Sequence, residues 1–257
     1  MTKIGAGGIA LTGEEIAVET GDGIRLNAML YRPSMAASGP RPAVILCPGG
    51  VGTGMFEIVE WLAGPLRDAG FVALTMNWRS GLPDHDPDDV SAGIDWLRAQ
   101  PGVDGSRIGV MGMSRGGNAA LRATARDQRI KACVTFGAVT DLLQQAQGVK
   151  DYAPGRYRMF LDWLGSPEEN ADRYRAVSAI TEAAKIRQPL LLVHGQHDMH
   201  SPPEQSLWMN EAVRAGGNGE SRVEIVPMMC HYGDVIPNHF GFDRLRSIII
   251  PFLIERL

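Results

Sequence analysis

Short apolar runs and helix-period segments take turns along most of this chain, and that rhythm leaves few folds open. Ala43-Val44-Ile45-Leu46-Cys47 is a continuous apolar run, the pattern of a strand buried on both faces. Residues 57–69 carry Ile58, Trp61, Leu62 and Leu66 at helical spacing, and Gly70 stands where that helix should end. Residues 71–76 read as a strand. Pro87, followed by Val90, Ile94 and Leu97, opens the next helix. Then come a strand at 107–111, a helix at 115–126 and a strand at 130–136. Beyond residue 188 the rhythm resumes with a strand at 189–194, a helix at 204–215, a strand at 222–226 and a final helix at 242–256. Such alternation predicts an α/β fold: a mostly parallel twisted sheet, helices on both faces, right-handed crossovers. Ahead of it, residues 12–32 read as two strands around the turn Gly21-Asp22-Gly23.

The rhythm breaks once, over residues 142–188, which is long for a single connection. This stretch holds helical patches and five aromatics: Tyr152, Tyr157, Phe160, Trp163 and Tyr174. It reads as an insertion at the carboxyl edge of the sheet. Two roles fit it equally: a cap over a binding site, or an extra helix pair that only packs. The expected organisation is one domain over residues 1–257, with 142–188 as the cap insertion.

Composition narrows the classes further. The chain has 257 residues, 44% of them hydrophobic and 21% charged, which is globular and excludes disorder, collagen and coiled coil. A net charge of −4 gives no basic surplus for nucleic acid. The three cysteines, Cys47, Cys133 and Cys230, are too few for a disulfide framework in a domain of this size. Packed thiols are the simpler reading, with a disulfide between Cys47 and Cys230, which both flank candidate site segments, as the alternative. No apolar run is long enough to span a bilayer, and residues 1–10 lack the apolar stretch of a secretory leader. The expectation is a cytoplasmic protein without a membrane or nucleic-acid partner; a homo-oligomer is compatible with it.

Gly112-Met113-Ser114-Arg115-Gly116 matches the pattern G-x-S-x-G. A serine there projects from a sharp turn between a strand and a helix, and the flanking glycines let the backbone turn and its neighbours pack close. The context fits, since a strand precedes the motif and an Ala-rich helix follows. A serine hydroxyl needs a base within hydrogen-bond reach, and the base needs an orienting group. For this turn the expected chain order is Ser, then an acid, then His. Asp198 follows the strand that ends at His194, and His231 follows the strand 222–226. Ser114, Asp198 and His231 are therefore the candidate catalytic residues, with His239 the rival base. The plainer readings are a helix-capping serine, a turn aspartate and loop histidines.

An acyl-transfer site also needs two backbone N–H donors fixed before charge develops on the carbonyl oxygen. Arg115, next to the serine, supplies one. The other falls in Pro48-Gly49-Gly50-Val51-Gly52, with Gly50 the first choice and Val51 the second. That loop is no nucleotide site. With Gly50 and Gly52 as the first two glycines of G-x-G-x-x-G, the third falls on Met55, and there is no G-K-[ST]. No cofactor is expected.

Taken together these segments resemble the α/β-hydrolase superfamily, in its dienelactone hydrolase and prolyl-oligopeptidase-like branch. The resemblance runs over about residues 15–257. It is carried by Pro48-Gly49-Gly50, Asn77-Trp78-Arg79-Ser80-Gly81, Ile94-Asp95-Trp96-Leu97, Val103-Asp104-Gly105-Ser106-Arg107-Ile108, the serine motif, and Leu192-Val193-His194-Gly195-Gln196-His197-Asp198 with His231. It implies an α/β-hydrolase fold and a serine hydrolase. Two departures stand out. Pro48 replaces the family's frequent histidine. Tyr232-Gly233-Asp234 follows His231 in place of Gly-Phe, which keeps His239-Phe240 open as the base. Dienelactone hydrolases use a cysteine nucleophile, so Ser114 does not imply dienelactone as substrate. No propeller of the prolyl oligopeptidase kind is expected within these residues.

The leading expectation is cleavage of a carboxylic ester, a small molecule, through an acyl-enzyme on Ser114; a thioester, small peptide or lactone could use the same machinery. The aromatics of 142–188, with Met228 and Met229 near the base, suggest an apolar acyl or alcohol group. A metal hydrolase built on His194, His197 and His200, and a binding protein without catalysis, are the competing readings.

Overall fold

A computed structural model describes residues 3–4, 10–33, 39–54, 56–234 and 240–257. Its centre is a sheet of eight strands. They are β1 (Glu14–Glu19), β2 (Arg25–Tyr31), β3 (Arg41–Cys47), β4 (Val72–Met76), β5 (Val103–Met113), β6 (Ile130–Phe136), β7 (Leu190–Gly195) and β8 (Ser221–Val226). Their order across the sheet is β8-β7-β6-β5-β3-β4-β2-β1. Only β2 runs against its neighbours, and the other pairings are parallel. The α/β architecture read from the alternation is the one observed.

Strand alternation divides the core. Ala43, Ile45 and Cys47 of β3 face one side; Val44 and Leu46 face the other. Helices α2 (Asp86–Arg98), α3 (Arg115–Arg126) and α7 (Glu204–Ala215) cover the first face. Helices α1 (Glu60–Asp68) and α8 (Phe240–Arg256) cover the second. The helix expected over 57–69 is shorter, because a 3₁₀ segment at Phe56–Val59 precedes α1. Its end is as the sequence implied. Gly70 has φ 96°, its N–H bonds the Arg67 carbonyl at 2.9 Å, and the Phe71 N–H bonds that of Leu66 at 3.0 Å. This is a Schellman closure.

The insertion forms α4 (Leu142–Val149), α5 (Pro154–Leu164), α6 (Ala171–Ala176) and a 3₁₀ segment, Ala179–Lys185. It has a small apolar cluster of its own, including Leu142, Phe160, Leu164 and Tyr174. Among the described residues no helix is long and apolar enough to cross a membrane. Cys47, Cys133 and Cys230 are free thiols.

Sheet order fixes where a ligand can enter. From β3 the chain steps to β4 on one side, then crosses back to place β5 on the other. Loops leaving the carboxyl ends of β3 and β5 therefore diverge and open a crevice between them, the usual binding place in such sheets. Cys47 of β3 lies opposite Gly112 of β5, so the Pro48–Gly52 loop and Ser114 emerge side by side.

On the opposite face of the sheet, the Tyr31 hydroxyl donates to the buried Glu60 carboxyl at the start of α1. Burial pushes Glu60 up to about 7 from 4.5. The folded protein then holds a proton that the unfolded chain gives up, so stability falls as pH rises from about 4.5 to about 7. Glu60→Gln should flatten that slope: its melting temperature relative to wild type rises between pH 5 and pH 8 in thermal scans. A difference independent of pH would contradict the assignment.

Candidate active site

Ser114 follows β5 with φ 56° and ψ −119°, a conformation that costs a residue bearing a Cβ of order 1–3 kcal/mol. The turn is held from both sides. The Ser114 N–H bonds the Phe136 carbonyl at 3.0 Å, and its own carbonyl receives Gly117 N–H at 3.0 Å. Two glycines permit it. A Cβ on Gly112 would overlap the Gly116 carbonyl, and one on Gly116 would overlap the Cys47 carbonyl. Ser114 sits at the cap position of α3, yet its side chain makes no capping hydrogen bond. Ser114 lines a cavity of about 250 Å³, as do Gly50, Val51, Arg115 and His231.

Asp198 and His231 meet across the loops after β7 and β8. His231 Nδ1 lies 2.6 Å from Asp198 Oδ2, and both residues are buried. The other carboxylate oxygen, Oδ1, accepts the N–H groups of His200 and Ser201, each at 2.8 Å. Asp198 is thus a turn aspartate and the imidazole's partner at once. Burial opposes its ionisation, but hydrogen bonds from His194 and His231 and the Ser201 amide outweigh that and hold the carboxyl well below the usual range. With Nδ1 turned to Asp198, Nε2 is left on the cavity side of the ring. Among the described residues no hydrogen bond joins Ser114 Oγ to His231; the two share the cavity wall. Such bonds often tighten only when substrate is present. His239 lies outside the described residues.

Gly50 has φ 91°, and the amides of Gly50, Val51 and Arg115 make no hydrogen bond to another described residue. They are free to donate into the cavity. Arg115 does more than its sequence position suggests. Its guanidinium grips Asp86 through two bonds of 2.8 and 2.7 Å and donates to the carbonyls of Gly52 at 2.8 Å and Leu82 at 3.0 Å. It also lies 5.7 Å above the Trp78 ring and 5.5 Å from that of Trp163. One buried cation therefore ties the Gly50 loop to the serine turn. No spacing rule foretold this, since Asp86 and Gly52 are far from Arg115 in the sequence.

The histidine cluster does not converge. His194 is wholly buried; its Nε2 lies 2.7 Å from the Ser201 carbonyl and its Nδ1 2.7 Å from the Ser206 hydroxyl. A carbonyl only accepts, so Nε2 carries the proton. His197 is exposed, while His200 stacks on His231 with ring centroids 5.2 Å apart. Among the described residues no three His, Cys, Asp or Glu side chains are grouped to hold a metal.

Of the five aromatics in the insertion, Phe160 and Trp163 line the cavity, together with Met159 and Arg156. Tyr174 is core, its hydroxyl bonded to the Phe160 and Gly165 carbonyls, and Tyr152 is exposed. The insertion is thus a wall of the cavity. The expectation for the two methionines needs correcting: Met228 is exposed, Met229 is packed in the core against the sheet, and neither lines the cavity. Arg156 and Met159 were missed in the sequence; the signal that could have found them is the i, i+3, i+4, i+7 spacing of Arg156, Met159, Phe160 and Trp163 along one side of α5.

Residues 68–246 match the family model of the prolyl oligopeptidase family. The chain belongs to this family of serine hydrolases. It is 28% identical over 236 residues to an uncharacterized peptidase, YuxL, of Bacillus subtilis, a match covering 85% of this chain and 35% of that one. In structure it resembles the Pyrococcus horikoshii acylaminoacyl peptidase with TM-score 0.79 and 20% identity, over 95% of this chain and 41% of that enzyme. It also resembles a thermophilic esterase, Est2, of Thermogutta terrifontis solved with butyrate, with TM-score 0.70 and 23% identity, over 95% and 94% of the two chains. At such identities the two structures establish the shared fold. The chain thus spans under half the length of the two peptidases and nearly all of the esterase.

Removing Arg115 would leave Asp86 buried without its partner, and burial already pushes that carboxyl up. Arg115→Met should cost about 3–5 kcal/mol of unfolding free energy, the usual penalty for breaking a buried pair, as read by urea denaturation. A loss under about 1 kcal/mol would mean the pair is solvated.

Proposed function

We propose that this protein is a serine hydrolase that cleaves a carboxylic ester through an acyl-enzyme on Ser114. His231 Nε2 takes the hydroxyl proton as Oγ attacks the carbonyl carbon. The amides of Arg115 and Gly50 receive the developing oxyanion. Asp198 fixes the ring through Nδ1 and stabilises the imidazolium. The tetrahedral adduct collapses, the carbon–oxygen bond to the alcohol breaks, and His231 returns the proton to that alcohol. Water, deprotonated by the same nitrogen, then releases the acid and restores Ser114.

One observation carries this reading: a serine held in a strained turn, with its hydroxyl unused by the helix it caps, opens onto the same cavity as an imidazole already oriented by a buried carboxylate. The ester preference leans on the small, largely apolar cavity and on the likeness to Est2 over nearly the whole of both chains. Peptide cleavage is the second reading, favoured by the family match. Free thiols at Cys47, Cys133 and Cys230 fit a reducing compartment such as the cytoplasm.

A panel of p-nitrophenyl esters, acyl-thioesters and aminoacyl-naphthylamides separates these substrates. Ser114→Ala should lower turnover by about 10⁶ and Asp198→Asn by about 10⁴. A fluorophosphonate probe should label wild type and not Ser114→Ala. Full esterase activity in Ser114→Ala would remove Ser114 as the nucleophile, and no labelling of wild type would turn the reading towards a binding protein.

A further inference from the structure

Two arginines line the cavity, and they are not alike. The charge of Arg115 is met by Asp86 and by backbone carbonyls. Arg156, from the first turn of α5, has no such partner. Among the described residues its side chain makes no ion pair or hydrogen bond, and its Nη1 is buried and unsatisfied. No aspartate or glutamate is among the described residues of the cavity wall. The one carboxylate whose field reaches Arg156, Asp198, is already engaged by His231, His200 and Ser201. His200 offers no negative charge. Burial, reinforced by the charge of Arg156, lowers its pKa and keeps it neutral.

A guanidinium stays ionised even when burial disfavours it. Leaving one beside an apolar wall of Met159, Phe160 and Trp163 is costly unless an anion arrives to pair with it. Resting on the serine-hydrolase reading of the same cavity, we propose that Arg156 is a specificity residue that binds a carboxylate carried by the substrate, at a point separate from the bond cleaved. The substrate class is then an acidic ester, such as the half-ester of a dicarboxylic acid or an ester of a hydroxy acid. A carboxylate fits better than a phosphate group. One unpaired guanidinium matches a single negative charge, and the neighbouring Arg115 is already neutralised.

Two near-isosteric pairs test this. Monomethyl glutarate against methyl pentanoate puts the charge on the acyl side. 4-Acetoxybenzoate against 4-tolyl acetate puts it on the leaving side. In wild type one pair should favour its anionic member in kcat/KM. Arg156→Gln should lower that preference about ten- to a hundredfold, mainly through KM, the range a charge-assisted hydrogen bond supplies. Arg156→Lys should restore part of it. Calorimetric titration with glutarate or benzoate should show binding to wild type that Arg156→Gln weakens by a similar factor. Equal losses for charged and neutral esters in Arg156→Gln, or a neutral preference in both wild-type pairs, would overturn the proposal. Carboxylate binding without hydrolysis of any ester would sink the ester-hydrolase reading and leave the subsite. Neutral ester hydrolysis without carboxylate binding would sink the subsite alone.

Discussion

The site depends on one close approach, that of Gly116 to the carbonyl end of β3. The chain must leave β5 and enter α3 within a single residue, and Ser114 takes that turn at φ 56°. Any side chain at Gly116 would run into the Cys47 carbonyl. Moving α3 away to make room would lift Ser114 off the crevice and separate the Arg115 amide from the Gly50 loop. The same contact therefore decides backbone strain, helix position and the direction of the hydroxyl. The strain is held because Phe136 on the neighbouring strand and Gly117 in the new helix both bond the serine's peptide groups.

The loops around that turn would have little to hold them without Arg115. Loops carry few backbone bonds of their own. Here a single planar cation reaches the Gly52, Gly81, Ser80 and Leu82 carbonyls while anchored on Asp86, and two indole rings lie against it. Its charge is spent on shape. That contrast gives Arg156 its meaning, since an equal charge on the facing wall has nothing of the protein's to hold.

How far this was legible in the sequence follows from range. The eight-stranded α/β sheet was readable because apolar runs and helical spacing are local signals. Helix α3 is bounded at Arg115–Arg126 as the spacing implied, while the helix before Phe71 begins in a 3₁₀ turn that periodicity alone does not distinguish. Ser114, Asp198 and His231 could be named because each follows a strand, and strand ends of a parallel sheet gather on one edge. In the folded chain Asp198 and His231 touch, and Ser114 shares a cavity wall with His231. The Arg115–Asp86 pair and the unpaired state of Arg156 were invisible, because each is a matter of which distant segments fold against the guanidinium. Met228 and Met229 misled for the same reason: nearness in sequence to His231 said nothing of which way the turn after β8 would face.

Asp198 divides its work between two oxygens, and that division bears on where a proton rests. Oδ1 is tied to backbone N–H groups that cannot let go without unfolding the turn. Oδ2 faces His231 and lies 3.3 Å from Nε2 of the buried His194. Since His194 must carry its proton on that nitrogen to satisfy the Ser201 carbonyl, it presents Oδ2 with a second partial positive charge. A carboxylate supported by four donors is a poor base. In the proposed reaction the proton drawn from Ser114 therefore stays on His231 and does not pass on to the acid. There it remains available to the departing alcohol, across the ring from the carboxylate that stabilises it.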